Sequence, residues 1–255
     1  KWKLVSLFAK KIFEKFDLCI VANSETERYL KILGVKNIKR YGNLKFANTK
    51  MNSINDLSSD TISKIKNKKI WTAASTHASE EIFCAKTHLE LKKKHENLLT
   101  IIIPRHLDRI KTINKELSDL NLKINLYSNL DLLDDRTDIL LVDAYGENSK
   151  FFNISKSVFL GGSIIKHGGQ NPIEPSRFGC KIFHGKNIDN FLEIYNYLES
   201  LKVSRLVSSH KELAKCLDEE FQLKKNINQV VDKIENYGQN VLNNVIADLK
   251  KYINY

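Results

Sequence analysis

Residues able to do chemistry gather in four short clusters. The densest is Gly161-Gly162-Ser163-Ile164-Ile165-Lys166-His167-Gly168-Gly169-Gln170-Asn171-Pro172-Ile173-Glu174-Pro175. An apolar run ends at Leu160, a glycine-rich loop follows, and the spacing predicts a helix starting near Pro172 with Asn171 as its cap. Backbone N–H groups at such a start, flanked by small residues, attract phosphate. Glu174 in the first turn is placed to accept from ribose hydroxyls. The second cluster, Pro104-Arg105-His106, follows the apolar run Leu99 to Ile103 and offers a guanidinium fork to a phosphate. The third is Ala73-Ala74-Ser75-Thr76-His77, small residues that admit a ligand or partner domain, followed by Ser79-Glu80-Glu81 at a helix start. The fourth, Asp143-Ala144-Tyr145-Gly146-Glu147, is a tight loop whose amides can read a base. Ordinary turn chemistry accounts for any one cluster; all four on one sheet edge point to a site.

The elements that must position these clusters alternate. Strands are expected at Ile70 to Ala74, Leu99 to Ile103, Ile124 to Tyr127, Ile139 to Val142, Val158 to Leu160, Ile182 to Phe183 and Val203 to Val207. Helical patterns lie between most of them, at 80–94, 106–119, 190–200 and 209–221. Strand and helix in alternation predict an α/β fold, a doubly wound parallel sheet wrapped on both faces. In such a sheet the ligand sits outside the carboxyl ends of the strands, where all four clusters fall. Of ten glycines, seven (Gly146, Gly161, Gly162, Gly168, Gly169, Gly179, Gly185) lie within the same stretch of chain, and the three prolines stand just after strands or at helix starts. In a chain this poor in both residues, the clustering marks loops of demanding backbone geometry.

The flanking segments read differently. Residues 1–16 pattern as a basic amphipathic helix, with Trp2, Val5, Phe8, Ile12 and Phe16 on one stripe and Lys1, Lys3, Lys10, Lys11 and Lys15 elsewhere. Such a helix lies on a membrane surface or packs on another part of the protein. A strand at Leu18 to Ala22, a helix capped by Ser24 with Glu27 as its capping-box partner and ended by Gly34, and a strand at Ile38 to Tyr41 follow. Residues 47–68, rich in Asn, Ser, Asp and Lys with little apolar periodicity, read as a linker. The expected organisation is therefore 1–46 as the end of one domain, 47–68 as linker, 69–236 as the sheet domain and 237–255 as a C-terminal helix. Two helices, about 223–236 and 238–254, are expected to close the chain.

The composition sets limits. With 255 residues and 42% hydrophobic content the chain can build real cores, and it is neither disordered nor fibrous. No uncharged apolar run approaches the roughly 20 residues that span a bilayer. Four scattered cysteines argue against a disulfide scaffold or zinc knot and for a reducing compartment. A net charge of +11 favours anionic partners: nucleic acid, an acidic membrane surface or phosphorylated small molecules. A nucleic-acid-binding module would interleave aromatics on a basic face, a pattern missing here. Walker-type phosphate loops, nucleophile elbows, paired-histidine zinc motifs and the dinucleotide glycine fingerprint are also missing, so neither a metal nor a cofactor is expected.

Together the four loops resemble the donor-binding domain of the bacterial 3-deoxy-D-manno-octulosonic acid (Kdo) transferases, a family with the two-domain GT-B glycosyltransferase fold. Trp71 to His77 with Glu80-Glu81 resembles the family's A-A-S-T-H-x-G-E-E segment, and Pro104-Arg105-His106 its P-R-H. Asp143 to Glu147 resembles its D-T-x-G-E, and Gly161 to Pro175 its G-G-S…G-G-H-N-x-x-E-P. Ser24-Glu25 and Gly42-Asn43-Leu44-Lys45-Phe46 resemble the junction between the family's domains. The chain departs from these patterns at Ser79, Ala47, Ala144, Tyr145 and Gln170; the last replaces a histidine with a side chain that donates hydrogen bonds but cannot become cationic.

The resemblance implies transfer of Kdo from CMP-Kdo to a lipid A precursor at the cytoplasmic face of a Gram-negative inner membrane, inverting and metal-independent. It places Pro104 and Arg105 against CMP and its phosphate, Tyr145, Gly146 and Glu147 at the cytidine, and Asn171, Pro172, Ile173 and Glu174 at phosphate and ribose. Ser75, Thr76, His77, Gly162, Ser163 and Gln170 stand as supporting residues. It also implies that the general base, a glutamate, and the acceptor surface lie upstream of Lys1, so the chain is expected to bind nucleotide without transferring sugar alone. Two other readings from the same residues are a GT-B transferase using a UDP-sugar and a non-catalytic scaffold with a degenerate donor site.

Overall fold

The computed structural model describes residues 6–47, 57–223 and 228–253. In chain order the elements are α1 (Ser6–Phe13), β1 (Cys19–Val21), α2 (Ser24–Ile32), β2 (Ile38–Arg40), α3 (Ser59–Ile65), β3 (Lys69–Thr76), α4 (Glu80–Lys92), β4 (Leu98–Pro104), α5 (Ile110–Ser118), β5 (Ile124–Leu126), β6 (Ile139–Leu141), α6 (Asn148–Ile154), β7 (Ser157–Leu160), α7 (Ile173–Arg177), β8 (Lys181–His184), α8 (Leu192–Ser200), β9 (Ser204–Leu206), α9 (His210–Gln222) and α10 (Asn228–Ile253). They divide into two compact units, Lys1–Met51 with Asp232–Tyr255, and Asn52–Val231.

In the second unit seven strands form one sheet in the order β5-β6-β4-β3-β7-β8-β9, every neighbouring pair parallel. All seven expected strands are present, most of them within a residue or two at each end. The central strands are apolar throughout because both faces are covered: Leu98 to Pro104 is buried residue for residue. Successive side chains alternate between faces. Trp71, Ala73, Ile102, Leu141, Phe159 and Phe183 pack with Cys84, Ala85 and Leu91 of α4, Ile113 and Leu117 of α5, and Leu213 and Leu217 of α9. Thr72 faces the other way and hydrogen-bonds Ser155, just past α6, at 2.7 Å. Each large apolar side chain fully buried here contributes about 1.5–3 kcal/mol.

Two helices of this unit were not expected. Helix α3 lies inside the stretch read as linker; its cap is Ser58, whose Oγ accepts from the Thr61 amide at 3.2 Å. It buries only Thr61 and Ile65 among its apolar and β-branched positions, too few to leave a periodic signal. Helix α6 is seven residues long and is held by the buried Phe151 and Phe152.

In the first unit β1 and β2 pair in parallel, Cys19 opposite Ile38 and Val21 opposite Arg40. The cap of α2 is Asn23, one residue before the expected Ser24: its backbone is extended and its Oδ1 accepts from the Thr26 amide at 2.8 Å. Glu27 pairs with Lys31 and Arg40 instead of closing a capping box. Gly34 ends the helix with φ +84°, as anticipated. Of the amphipathic stripe expected over 1–16, Phe8 and Phe16 are 63% and 52% exposed, Phe16 lies beyond the end of α1, and Trp2, Val5, Lys1 and Lys3 lie outside the described residues. The two closing helices are in fact one, α10, running through Gly238. A β-carbon at 238 would stand 1.9 Å from the Phe46 carbonyl oxygen, so this glycine is there for close approach, not as a stop.

Candidate functional site

The four clusters leave β6, β4, β3 and β7, four consecutive strands of the parallel sheet, so their carboxyl ends share one edge. The chain runs outward from β3 on one side and returns to β7 on the other. The gap between these two strands is thus the switch point where ligands enter open α/β sheets.

Three of the loops converge on His77. Arg105 donates its backbone N–H to the Thr76 carbonyl at 2.9 Å, tying the β4 loop to the β3 loop. Gly161 does the same to Ala74 at 2.9 Å, and a β-carbon at 161 would meet the Ser75 carbonyl at 2.3 Å. The His77 ring lies edge-on to His106 with centroids 5.5 Å apart and tilted against His167 at 4.2 Å. Gln170 Nε2 reaches His77 Nε2 at 3.2 Å. Because the amide can only donate at its nitrogen, His77 Nε2 accepts and its proton sits on Nδ1. Burial, with the neighbouring imidazoles and the guanidiniums of Arg105 and Arg109, pushes the His77 pKa down to about 4, so the ring is neutral at neutral pH. Arg105 and His106 are exposed beside it.

Beneath this surface stand two carboxylates, both fully buried. Glu81 takes the Arg109 guanidinium in a fork, 2.8 and 3.3 Å, and the Thr76 hydroxyl at 3.2 Å. Glu80 accepts four backbone amides. His77 and Gly162 donate to Oε2 at 3.0 and 2.7 Å, and Ser163 and Ile164 donate to Oε1 at 3.0 and 2.9 Å. The glycine loop therefore has no free amide at 162–164 for a phosphate; the protein supplies its own anion there.

The remaining expected residues fall as follows. Ser75 stands at a register shift in β3 with φ +54°. Ser163 Oγ donates to Leu160 O at 2.6 Å and accepts from Gly185 N at 2.8 Å. Helix α7 begins at Ile173, one residue later than expected, and Asn171 Oδ1 accepts the Ile173 amide at 3.2 Å. With only five residues, α7 contributes little dipole. Pro172 and Ile173 are buried, and Tyr195 OH anchors the segment from below by donating to Gln170 O at 3.0 Å. Glu174 is open to water at its tip, yet the surrounding protein removes enough solvent to raise its carboxyl pKa above the ordinary range.

In the loop of Tyr145, Gly146 and Glu147, the glutamate and the preceding Asp143 are bonded to a different set of residues. Tyr127 OH donates to Glu147 Oε2 at 2.9 Å, Lys150 pairs with the same oxygen at 2.6 Å, and Ser128 N donates to Asp143 Oδ1 at 2.9 Å. Burial raises the Glu147 carboxyl, but hydrogen bonds from Lys150 and Tyr127 outweigh it and hold the pKa below the usual range. Tyr145 is 72% exposed. The sequence reading missed Arg109, Tyr127, Lys150 and Tyr195 as members of this edge. Arg109 alone carried a signal, four residues after Arg105 on the same turn of chain.

Among the described residues no group of three or more His, Cys, Asp or Glu is placed to hold a metal ion, and no helix is long and apolar enough to cross a membrane.

The fold is of the GT-B type, a doubly wound parallel sheet. The C-terminal CMP-Kdo binding domain of WaaA from Acinetobacter baumannii superposes with a TM-score of 0.62 and 23% identity, covering 70% of this chain and 91% of that one. In sequence the chain is similar to the 3-deoxy-D-manno-octulosonic acid transferases. It is 31% identical over 218 residues to that of Haemophilus influenzae, covering 80% of this chain and 50% of the relative, and 28% identical over 248 residues to that of Aquifex aeolicus, covering 97% and 65%. The chain thus spans about half to two thirds of the length of these relatives. No family model matches it.

Proposed function

We propose that this chain is the CMP-Kdo-binding part of a Kdo transferase, which moves Kdo from CMP-Kdo to the lipid A precursor lipid IVA in lipopolysaccharide core synthesis. The observation that carries this reading is the convergence of three loops on His77 beside the exposed Arg105, at the switch point of a sheet similar to a CMP-Kdo binding domain. In the transfer step the bond from the anomeric carbon to the CMP phosphate oxygen breaks, and the departing CMP gains negative charge. Arg105 stabilises that charge more in the transition state than in the bound donor, which is what accelerates the step. Neutral His77 and Gln170 orient the phosphate by hydrogen bonding. Glu174, whose raised pKa marks a desolvated carboxylate, takes the ribose hydroxyls, and Tyr145, Gly146 and Glu147 hold the cytosine. Attack by the acceptor hydroxyl on the opposite face inverts the anomeric carbon. The reaction in this reading needs neither metal nor cofactor.

The base that deprotonates the acceptor, the lipid-facing surface and contact with the anionic cytoplasmic face of the inner membrane belong, in this reading, to the other domain of the two-domain enzyme. The chain alone therefore binds nucleotide and does not transfer sugar.

Calorimetric titration tests the assignment. CMP and CMP-Kdo are expected to bind, both more tightly than UDP; tighter binding of UDP rejects the CMP-sugar reading, and no heat with any nucleotide favours a scaffold. Arg105→Ala is expected to weaken CMP binding by about 2 kcal/mol, roughly thirtyfold, the worth of a charge-assisted hydrogen bond to phosphate.

A further inference from the structure

The feature that the donor-site reading leaves unused is Glu80. A carboxylate with no solvent exposure is costly unless fully hydrogen-bonded, and here both oxygens are satisfied by backbone amides, two on each. Those amides come from two strand ends, His77 after β3 and the run Gly162 to Ile164 after β7. A third loop joins through Ser163, whose hydroxyl accepts the Gly185 amide and whose carbonyl accepts from Asn187 N at 2.9 Å. Nothing else among the described residues bridges the gap between β3 and β7 with charge. The glycines are shaped around it: a β-carbon at 161 would stand 2.8 Å from Glu80 Oε2.

We propose that Glu80 is the positioning residue of the donor site, an internal anion that draws the β3 and β7 loops together and so sets His77, Gly162 and Gln170 to receive the substrate's phosphate. It touches no ligand. Its backbone bond fixes the His77 main chain, while Gln170 fixes the ring from the other loop, so the distance between the two loops decides whether the 3.2 Å contact to His77 Nε2 can form. The position of the imidazole among Arg105, Arg109, His106 and His167 follows from the same clamp, and so does its low pKa.

The inference rests on the donor-site reading for its function but not for its geometry, and the test separates the two. Glu80→Gln keeps the shape but turns an NH2 toward two of the four amides, which then lose their acceptor. Expected is a folded protein whose CMP dissociation constant rises about tenfold or more, because loop displacements of about an ångström are that costly to a phosphate site. The His77 titration, followed by NMR, should at the same time differ from that of wild type, because the ring leaves its place among Arg105, Arg109, His106 and His167. A folded Glu80→Gln chain with the His77 titration of wild type overturns the proposal. Should wild type itself fail to bind CMP, the donor reading falls while the His77 readout still judges the clamp. If Glu80→Gln does not fold, the unaltered chain decides: the amides of His77, Gly162, Ser163 and Ile164 should exchange hydrogen as slowly as the neighbouring strands. Exchange at loop rates counts against the clamp.

Discussion

Two ends of one sheet edge are built in opposite ways. Around His77 the loops after β3, β4 and β7 are locked to one another by backbone hydrogen bonds, and two buried carboxylates are fully bonded beneath them. Around Tyr145, after β6, the loop turns through Gly146 at φ +82° with open space about it, and its acid, Glu147, is held by partly exposed Tyr127 and Lys150. The first arrangement ties the backbone at many points; the second leaves the loop tip with few partners. A phosphate undergoing bond cleavage needs the former, because charge stabilisation depends on groups already in place. A flat base needs only a surface that can fold over it. The contrast fits the proposal made above, in which the phosphate lies at His77 and the base at Tyr145.

The contrast is sharpest in the two ion pairs. Arg109→Ala strands Glu81 as an unpaired buried carboxylate and is expected to cost about 3–5 kcal/mol of stability. Lys150→Ala removes the partner of Glu147, whose side chain reaches water, and should cost about 1 kcal/mol or less. Chemical denaturation of the two variants against wild type gives the difference directly. Equal losses would mean that the two ends are equally solvated, and the comparison would be wrong.

How much of this was legible beforehand depended on the kind of signal. The seven strands of the sheet were readable because strands buried on both faces are nearly continuous apolar runs, as Leu98 to Ile103 shows. The loops were found because glycine and proline are rare elsewhere in the chain. What could not be read were partnerships across sequence distance. Glu80 meets Gly162 eighty-two residues away, and a glutamate in the first turn of a helix looks locally like a dipole-stabilising residue. The bonding of the loop amides to Glu80 therefore left no local mark. The two expected closing helices proved to be one for the same reason: the Phe46 carbonyl that explains Gly238 is remote in sequence. Helix α3 was missed because its stability comes from a cap and from bonds of Lys64 to the Leu130 and Asp131 carbonyls, not from a periodic apolar stripe.

The next test concerns protonation. Unfolded, His77 takes up its proton near pH 6.5; folded, near 4, because burial and the surrounding cations disfavour the imidazolium. Between these values the unfolded chain binds more protons, so stability rises with pH across the window. The contribution is complete above about 6.5 and is lost as the pH falls through 6.5 toward 4. Allowing for partial solvation it amounts to about 2 kcal/mol. Denaturation curves from pH 4 to 7.5 should show this slope in wild type and a flatter one in His77→Gln. Parallel curves would mean that His77 is as solvated as any residue of the Tyr145 loop.

The smallest effect sits at Ser79. This residue precedes α4 with φ +77° and ψ −22°, a left-handed conformation that glycine adopts without strain and serine does not. Its hydroxyl makes no capping hydrogen bond to offset the cost. The departure from glycine seen in the A-A-S-T-H-x-G-E-E pattern thus has a physical price, carried next to Glu80 and Glu81 at the most constrained point of the site. Ser79→Gly relieves about 1–2 kcal/mol of backbone strain and gives back about half of it in unfolded-state entropy. The expected gain is about 0.5–1 kcal/mol, or roughly 1–4 °C in melting temperature, with no change in the His77 titration. A lower melting temperature would show that the serine side chain makes a contribution its geometry does not reveal. A shifted His77 titration would show that strain at this turn, and not the Glu80 clamp alone, holds the rigid end of the edge in place.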